Sequence, residues 1–129
     1  METHARRSFY LGRYNCVELL SEGPLGETFR AKIYGVAGFE KQFVVRRIPM
    51  AACADEAFVK RLTDAATRYA AIDSERVARV HDVNVQGAQY YIAVDLIRGV
   101  DLQALLRAQK EKHERLSSEA SLLVALELA

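Results

Sequence analysis

The chain of 129 residues contains no tryptophan, two prolines and two cysteines, and each shortage excludes something. Cys16 and Cys53 lie far apart, with no CxxC or CxxH spacing around either. Neither a disulfide framework nor a zinc module is available to them, and free thiols are expected. No run of about 18 apolar residues occurs, so no membrane-spanning helix is expected. An excess of one charge sign is missing as well: 18 basic residues face 17 acidic ones, for a net charge of +1. Nucleic-acid surfaces lean on a large basic excess, so no nucleic-acid partner is expected. Internal repeats and low-complexity tracts are absent too. Residues 1–13 carry Arg6 and Arg7 with no apolar stretch behind them. They read as an N-terminal tail without a secretory signal, which leaves the cytoplasm as the expected location. His4, His81 and His113 have no partners at metal-ligand spacing, so they are expected at the surface or on an edge strand, and no metal site is expected.

What is present suffices for one core. Half the residues are hydrophobic, and a globule of this length buries roughly two-thirds of the surface its unfolded chain exposes. Residues 14–20 (YNCVELL) predict a short strand, and 21–26 (SEGPLG) a turn by their glycine and proline content. From 28 to 34, Phe29, Ala31 and Ile33 alternate with Thr28, Arg30 and Lys32, the period of a half-buried strand. A turn at 35–38 and a strand at 43–48, ended by Pro49, complete a meander. Between 54 and 72 the period changes: Phe58, Leu62, Ala65, Ala66, Tyr69 and Ile72 form one helical stripe. Strands follow at 77–85 and 89–96 around Gly87. Helices are predicted from 102 to about 112, and after Ser117 or Ser118, whose hydroxyl suits an N-cap. The fold class is α+β: a five-stranded antiparallel sheet with one packed helix, then two further helices.

These segments, in this order, resemble the N-terminal lobe of eukaryotic-type serine/threonine protein kinases of bacteria. YNCVELLSEGPLGETFRAK is similar to the family's first two strands and the glycine-rich loop between them. GVAGFEKQFVVRRI resembles the following hairpin and the strand that carries the family's lysine. FVKRLTDAATRYAAIDSERVARVHDV is similar to the lobe's single helix, its loop and the next strand, and YYIAVDLIRGVDLQALL to the last strand, the hinge and a first C-lobe helix. The resemblance divides the chain into a tail (1–13), an N-lobe-like domain (14–98) and two hinge-distal helices (99–129) resembling the start of a C-lobe.

What the resemblance implies for chemistry depends on individual positions. In the family's GxGxxG loop, backbone N–H groups cradle the phosphates of ATP. The matching residues here are Ser21, Gly23 and Gly26, so a serine replaces the first glycine, and Pro24 lacks an N–H to donate. The same residues also suit a plain β-turn. Thr28 follows the loop on the second strand. Phe43-Val44-Val45-Arg46 aligns with V-A-I-K, so Arg46 stands at the lysine position and Val44 at the small residue beneath the adenine. A guanidinium is a broad planar fork, unlike a compact ammonium. Arg47, one residue on, is expected on the opposite face of the strand. The family's helix glutamate, which pairs with that lysine, falls on Ala65. Asp64 is turned by about 100° from that position. Arg46 is therefore expected to be relieved by Asp64 or by solvent.

Asp95 and Ile97 match the hinge, whose backbone binds adenine in the family, though an ordinary strand end reads the same way. Asp101 matches an acid that meets the ribose, and is equally a helix N-cap. The catalytic HRDxxxxN and metal-binding DFG motifs have no counterpart up to Ala129. His113-Glu114-Arg115 only superficially resembles the former and reads as a solvated connection. With no catalytic residue identified, the chain alone is expected not to transfer phosphate, to bind ATP weakly or not at all, and to hold no magnesium. The expected role is that of a pseudokinase-like or truncated N-lobe acting through protein contacts. The alternative is the ATP-binding half of an active kinase whose C-lobe lies beyond this chain. Leu122, Leu123 and Leu126 form an apolar stripe expected to meet a partner, a C-lobe or a second copy of the chain.

Overall fold

A computed structural model describes residues 7–129, so His4 and Arg6 lie outside it. The chain divides into two compact units, one ending at Leu96 and the other comprising Ile97–Ala129. The first unit holds β1 (Phe9–Leu11), β2 (Tyr14–Gly23), β3 (Gly26–Tyr34), β4 (Glu40–Arg47), α1 (Met50–Cys53), α2 (Glu56–Ala70), β5 (Val80–Gln86) and β6 (Gln89–Asp95). Its strands make one antiparallel sheet in the order β1-β2-β3-β4-β6-β5.

The sheet has six strands rather than five. The additional strand, β1, lies within the segment read as a tail and pairs Phe9–Leu11 with residues 14–16 of β2. The turn between β2 and β3 is tighter than its composition suggests. Both strands run on until only Pro24 and Leu25 separate them, and Gly23 pairs with Gly26. Gly26 is needed there on steric grounds: its φ is +105°, and a Cβ would sit 2.0 Å from the carbonyl oxygen of Arg47.

Alternation along the strands sorts the side chains onto two faces. Phe29 and Ala31 of β3, Phe43 and Val45 of β4, and Tyr91 and Ala93 of β6 point to one side, where they join Leu11, Tyr14 and Cys16 in the core. The sheet curls around this cluster. The amide of Gly12, in the β1–β2 turn, donates to the side chain of Gln86 at the end of β5. The hydroxyl of Tyr14 donates to Asp82 Oδ2 at 3.3 Å. Edge-on ring contacts fill the interior, with Tyr14 5.5 Å from Phe43 and Phe9 5.0 Å from Phe29.

The other face carries Thr28, Val44, Arg46, Ile92 and Val94 and is covered in part by α2. Asp55 caps that helix by accepting from the amide of Phe58 at 3.1 Å. Its stripe lays Leu62, Ala65, Ala66 and Tyr69 against Val80 and Ile92. Pro49 ends β4 and begins α1, a four-residue turn too short for periodicity to reveal.

The second unit consists of α3 (Leu102–Glu111) and α4 (Ser118–Leu128). Both caps follow from the sequence: Asp101 accepts from the amide of Ala104 at 2.7 Å, and Ser117 from that of Ala120 at 3.1 Å. The α4 helix is rich in leucine, and Leu122, Leu123 and Leu126 are exposed.

Two stability predictions follow from the core. Replacing the fully buried Phe29 with alanine is expected to destabilise the chain by about 3–5 kcal/mol. Leu25→Ala, at an exposed turn position, should change stability by less than about 0.5 kcal/mol in the same urea titration. Burial pushes the Cys16 thiol up to about 11. Its reaction with a disulfide reagent at about pH 8 should therefore wait for unfolding, whereas the half-buried Cys53 reacts in the folded protein.

Candidate functional site

The residues singled out from the sequence do not gather in one place. Thr28, Val44 and Arg46 come together on the face that α2 covers. They line a cavity of about 460 Å³ with Tyr69, Ala78, Ile92 and Val94. Register explains the grouping: Thr28 is directly opposite Arg46, and Val44 opposite Val94. Tyr69 belongs to the predicted helical stripe. Ala78 falls within the strand expected over 77–85 but lies in an irregular stretch before β5, which begins at Val80.

Arg46 is solvent-exposed. Its Nε donates to Thr28 Oγ1 at 3.4 Å, and no carboxylate pairs with it among the described residues. Asp64 is engaged elsewhere, accepting from Lys60 Nζ at 2.7 Å one helical turn away. Of the two relief routes expected from the sequence, solvent is the one the structure displays. Neighbouring cations on the same face are paired: Arg30 with Glu18 at 2.7 Å and Lys32 with Glu40 at 2.8 Å. Ala65 presents a methyl group to a second, smaller cavity of about 210 Å³ that shares Tyr69 and Ile92 with the first. Arg47 lies on the core face, as expected. It pairs with Glu27, and its guanidinium sits 5.0 Å from the Phe9 ring and 5.3 Å from that of Phe29.

The loop glycines lie elsewhere. Gly23 and Gly26 line a separate cavity of about 490 Å³, together with Glu22, Glu27, Arg47 and Pro49. Ser21 is exposed on β2 opposite Thr28. Two carboxylates thus stand at the loop, of which Glu27 is paired with Arg47.

Asp95 forms a third arrangement, which the sequence did not signal. Its carboxylate accepts from the amide of Arg79 at 3.1 Å and meets the imidazole of His81, whose ring packs edge-on against Phe43 at 4.9 Å. A β-bulge between Val80 and Asp82 sets His81 in that position. The edge-strand expectation for His81 holds, although it is half-buried. The hydrogen bond from His81 is the main cause that holds the Asp95 carboxyl below its ordinary value. Ile97 and Asp101 belong to the second unit, where Ile97 is exposed and Asp101 caps α3. Among the described residues, no group of three or more His, Cys, Asp or Glu could hold a metal ion, and no helix is long and apolar enough to cross a membrane.

No protein-family model matches the chain. It is 29% identical over 103 residues to the tyrosine-protein kinase MasK of Myxococcus xanthus, covering 79% of this chain and 16% of that protein. It is 25% identical over 117 residues to the serine/threonine-protein kinase PkaB of Streptomyces coelicolor, covering 91% of this chain and 26% of that protein. A crystal structure of the PknI kinase domain of Mycobacterium tuberculosis superimposes with a TM-score of 0.75 at 19% identity, over all of this chain and 48% of that one. A double mutant of the same domain gives 0.65 at 22% identity, over 78% of this chain and 39% of that one. The chain therefore spans about a quarter or less of its curated relatives and less than half of the solved domains. The structural likeness shows the architecture of a protein-kinase N-lobe.

The Asp95 clasp has a testable pH dependence. A carboxylate whose folded pKa is depressed adds stability above its unfolded pKa, and that stability is lost as pH falls through the folded value. The difference in melting temperature between the native chain and Asp95→Asn should narrow as pH falls from about 6 to about 3. It should correspond to less than about 1 kcal/mol, because the Asp95 carboxylate remains partly solvated. A difference that stays constant over this range would remove the clasp from the account.

Proposed function

We propose that this chain, an N-lobe of the protein-kinase fold, acts as a pseudokinase-like regulatory module with a disabled nucleotide site. The observation that carries the reading is Arg46: a solvated guanidinium with, among the described residues, only a threonine hydroxyl for a partner, and Ala65 where the family's helix acid would stand. In the resemblance, an ammonium–carboxylate pair at these positions anchors the α and β phosphates. An arginine and a methyl group cannot reproduce it.

The remaining candidates support the same reading. Glu22 at the loop disfavours a polyphosphate, and Pro24 supplies no donor. These residues fit ATP poorly, and the reading assigns weak ATP binding at most to this chain. Function then rests on contacts with protein, in the cytoplasm. The exposed Leu122, Leu123 and Leu126 suit a covering partner, because an exposed apolar patch marks an interaction surface.

A second reading is favoured by the relatives. Both are named kinases, and this chain spans only 16% and 26% of them. On that reading the chain is the ATP-binding half of an active serine/threonine kinase and Arg46 is a tolerated variant. Thermal-shift titration separates the two, since a ligand that binds only the folded state raises its stability. With ATP and magnesium at about 1 mM, the first reading expects a rise in melting temperature below about 3 °C. It also expects a larger rise in the Arg46→Lys/Ala65→Glu double variant. A rise of about 6 °C or more in the native chain would favour the second reading.

A further inference from the structure

We infer that the cavity beside Arg46 binds a compact organic monoanion: a flat apolar or aromatic body carrying one carboxylate. The inference rests on the proposed reading of a disabled nucleotide site, whose Thr28, Val44 and Arg46 line this cavity, and assigns that site a different class of ligand. The cavity, at about 460 Å³, falls within the range of small-molecule sites. Its walls are mostly apolar: Val44, Ile92 and Val94 from the sheet, with Tyr69 from α2. Such walls take a hydrocarbon or ring system and offer a sugar or a polyphosphate few partners.

One charge stands at this cavity. Arg46 spends its Nε on Thr28 Oγ1 at 3.4 Å, which leaves the rest of the guanidinium fork without a protein partner among the described residues. A carboxylate is the planar group that matches such a fork through two parallel hydrogen bonds. Arg30 and Lys32, the other cations of β3 on this face, are paired with Glu18 and Glu40. The site therefore offers a single positive charge, which suits a monoanion better than a triphosphate. The methyl of Ala65 in the adjoining 210 Å³ cavity, which shares Tyr69 and Ile92, extends the apolar wall where an acid would have repelled the ligand.

The probe is 2-naphthoate, with 2-naphthamide as its uncharged counterpart. The chain has no tryptophan, so naphthalene fluorescence can be followed without indole background. Naphthoate should bind saturably to the full chain, at least about tenfold more tightly than the amide, and should shift the NMR signals of the Val44, Ile92 and Val94 methyls. Arg46→Met, at an exposed position, should abolish the preference for naphthoate while leaving the circular dichroism spectrum unchanged. Val44→Phe should weaken both probes by filling the cavity. Equal binding of acid and amide, an unchanged preference in Arg46→Met, or no saturable naphthoate binding up to millimolar concentration would each overturn the inference. A strong ATP-induced thermal shift without naphthoate binding would sink this inference and leave a nucleotide site standing.

Discussion

Packing of Phe29, Val45 and Tyr91 inside the curled sheet is the constraint from which the rest follows. Because side chains alternate along a strand, burying Phe43 and Val45 of β4 commits Val44 and Arg46 to the opposite face. A one-residue slip in β4 would put a guanidinium in the core and a valine in its place outside. The pairing of Thr28 with Arg46, and of Val44 with Val94, is thus fixed by the hydrophobic interior. It does not depend on anything at the site itself. The site inherits its geometry from a core it does not touch.

The same constraint separates two neighbouring arginines. Arg47 is held on the core face by Glu27 and by the rings of Phe9 and Phe29. Among the described residues, Arg46 donates one weak hydrogen bond, to Thr28, and otherwise faces solvent. Adjacent residues of identical chemistry therefore do different work: one closes the end of the sheet, the other leaves a charge available beside an apolar cavity. Leaving a charge in water costs little, whereas burying it unpaired would be expensive. That explains how the fold accommodates Arg46 without a helix carboxylate.

Much of the fold was legible in the sequence because its signals are local. Alternation in residues 28–34, the helical stripe from Phe58 to Tyr69, and the caps at Asp101 and Ser117 each depend on neighbours a few positions away. Strand β1 escaped because three residues carry no usable period, and α1 because one turn after a proline looks like a loop. The β2–β3 turn was over-read because glycine and proline mark a turn without stating its length, and Gly23 and Gly26 turned out to pair across it. The site was less legible than the fold. Curling places the loop glycines in one cavity, Arg46 in a second, and Asp95 with His81 in a third, and curl is a property of the whole sheet. The bulge that brings His81 to Asp95 depends on pairing between two strands, which neither strand reveals alone.

The account stands or falls on the state of the Arg46 guanidinium. Nitrogen-15 NMR of arginine side chains measures it directly, through the exchange of the Nε proton with water and the rotation of the terminal Nη groups. The structure predicts rapid exchange and freely averaging Nη signals for Arg46, both unchanged in Asp64→Asn. Slowly exchanging, resolved Nη signals that collapse when a carboxylate of α2 is removed would reveal an intact ion pair and contradict the account.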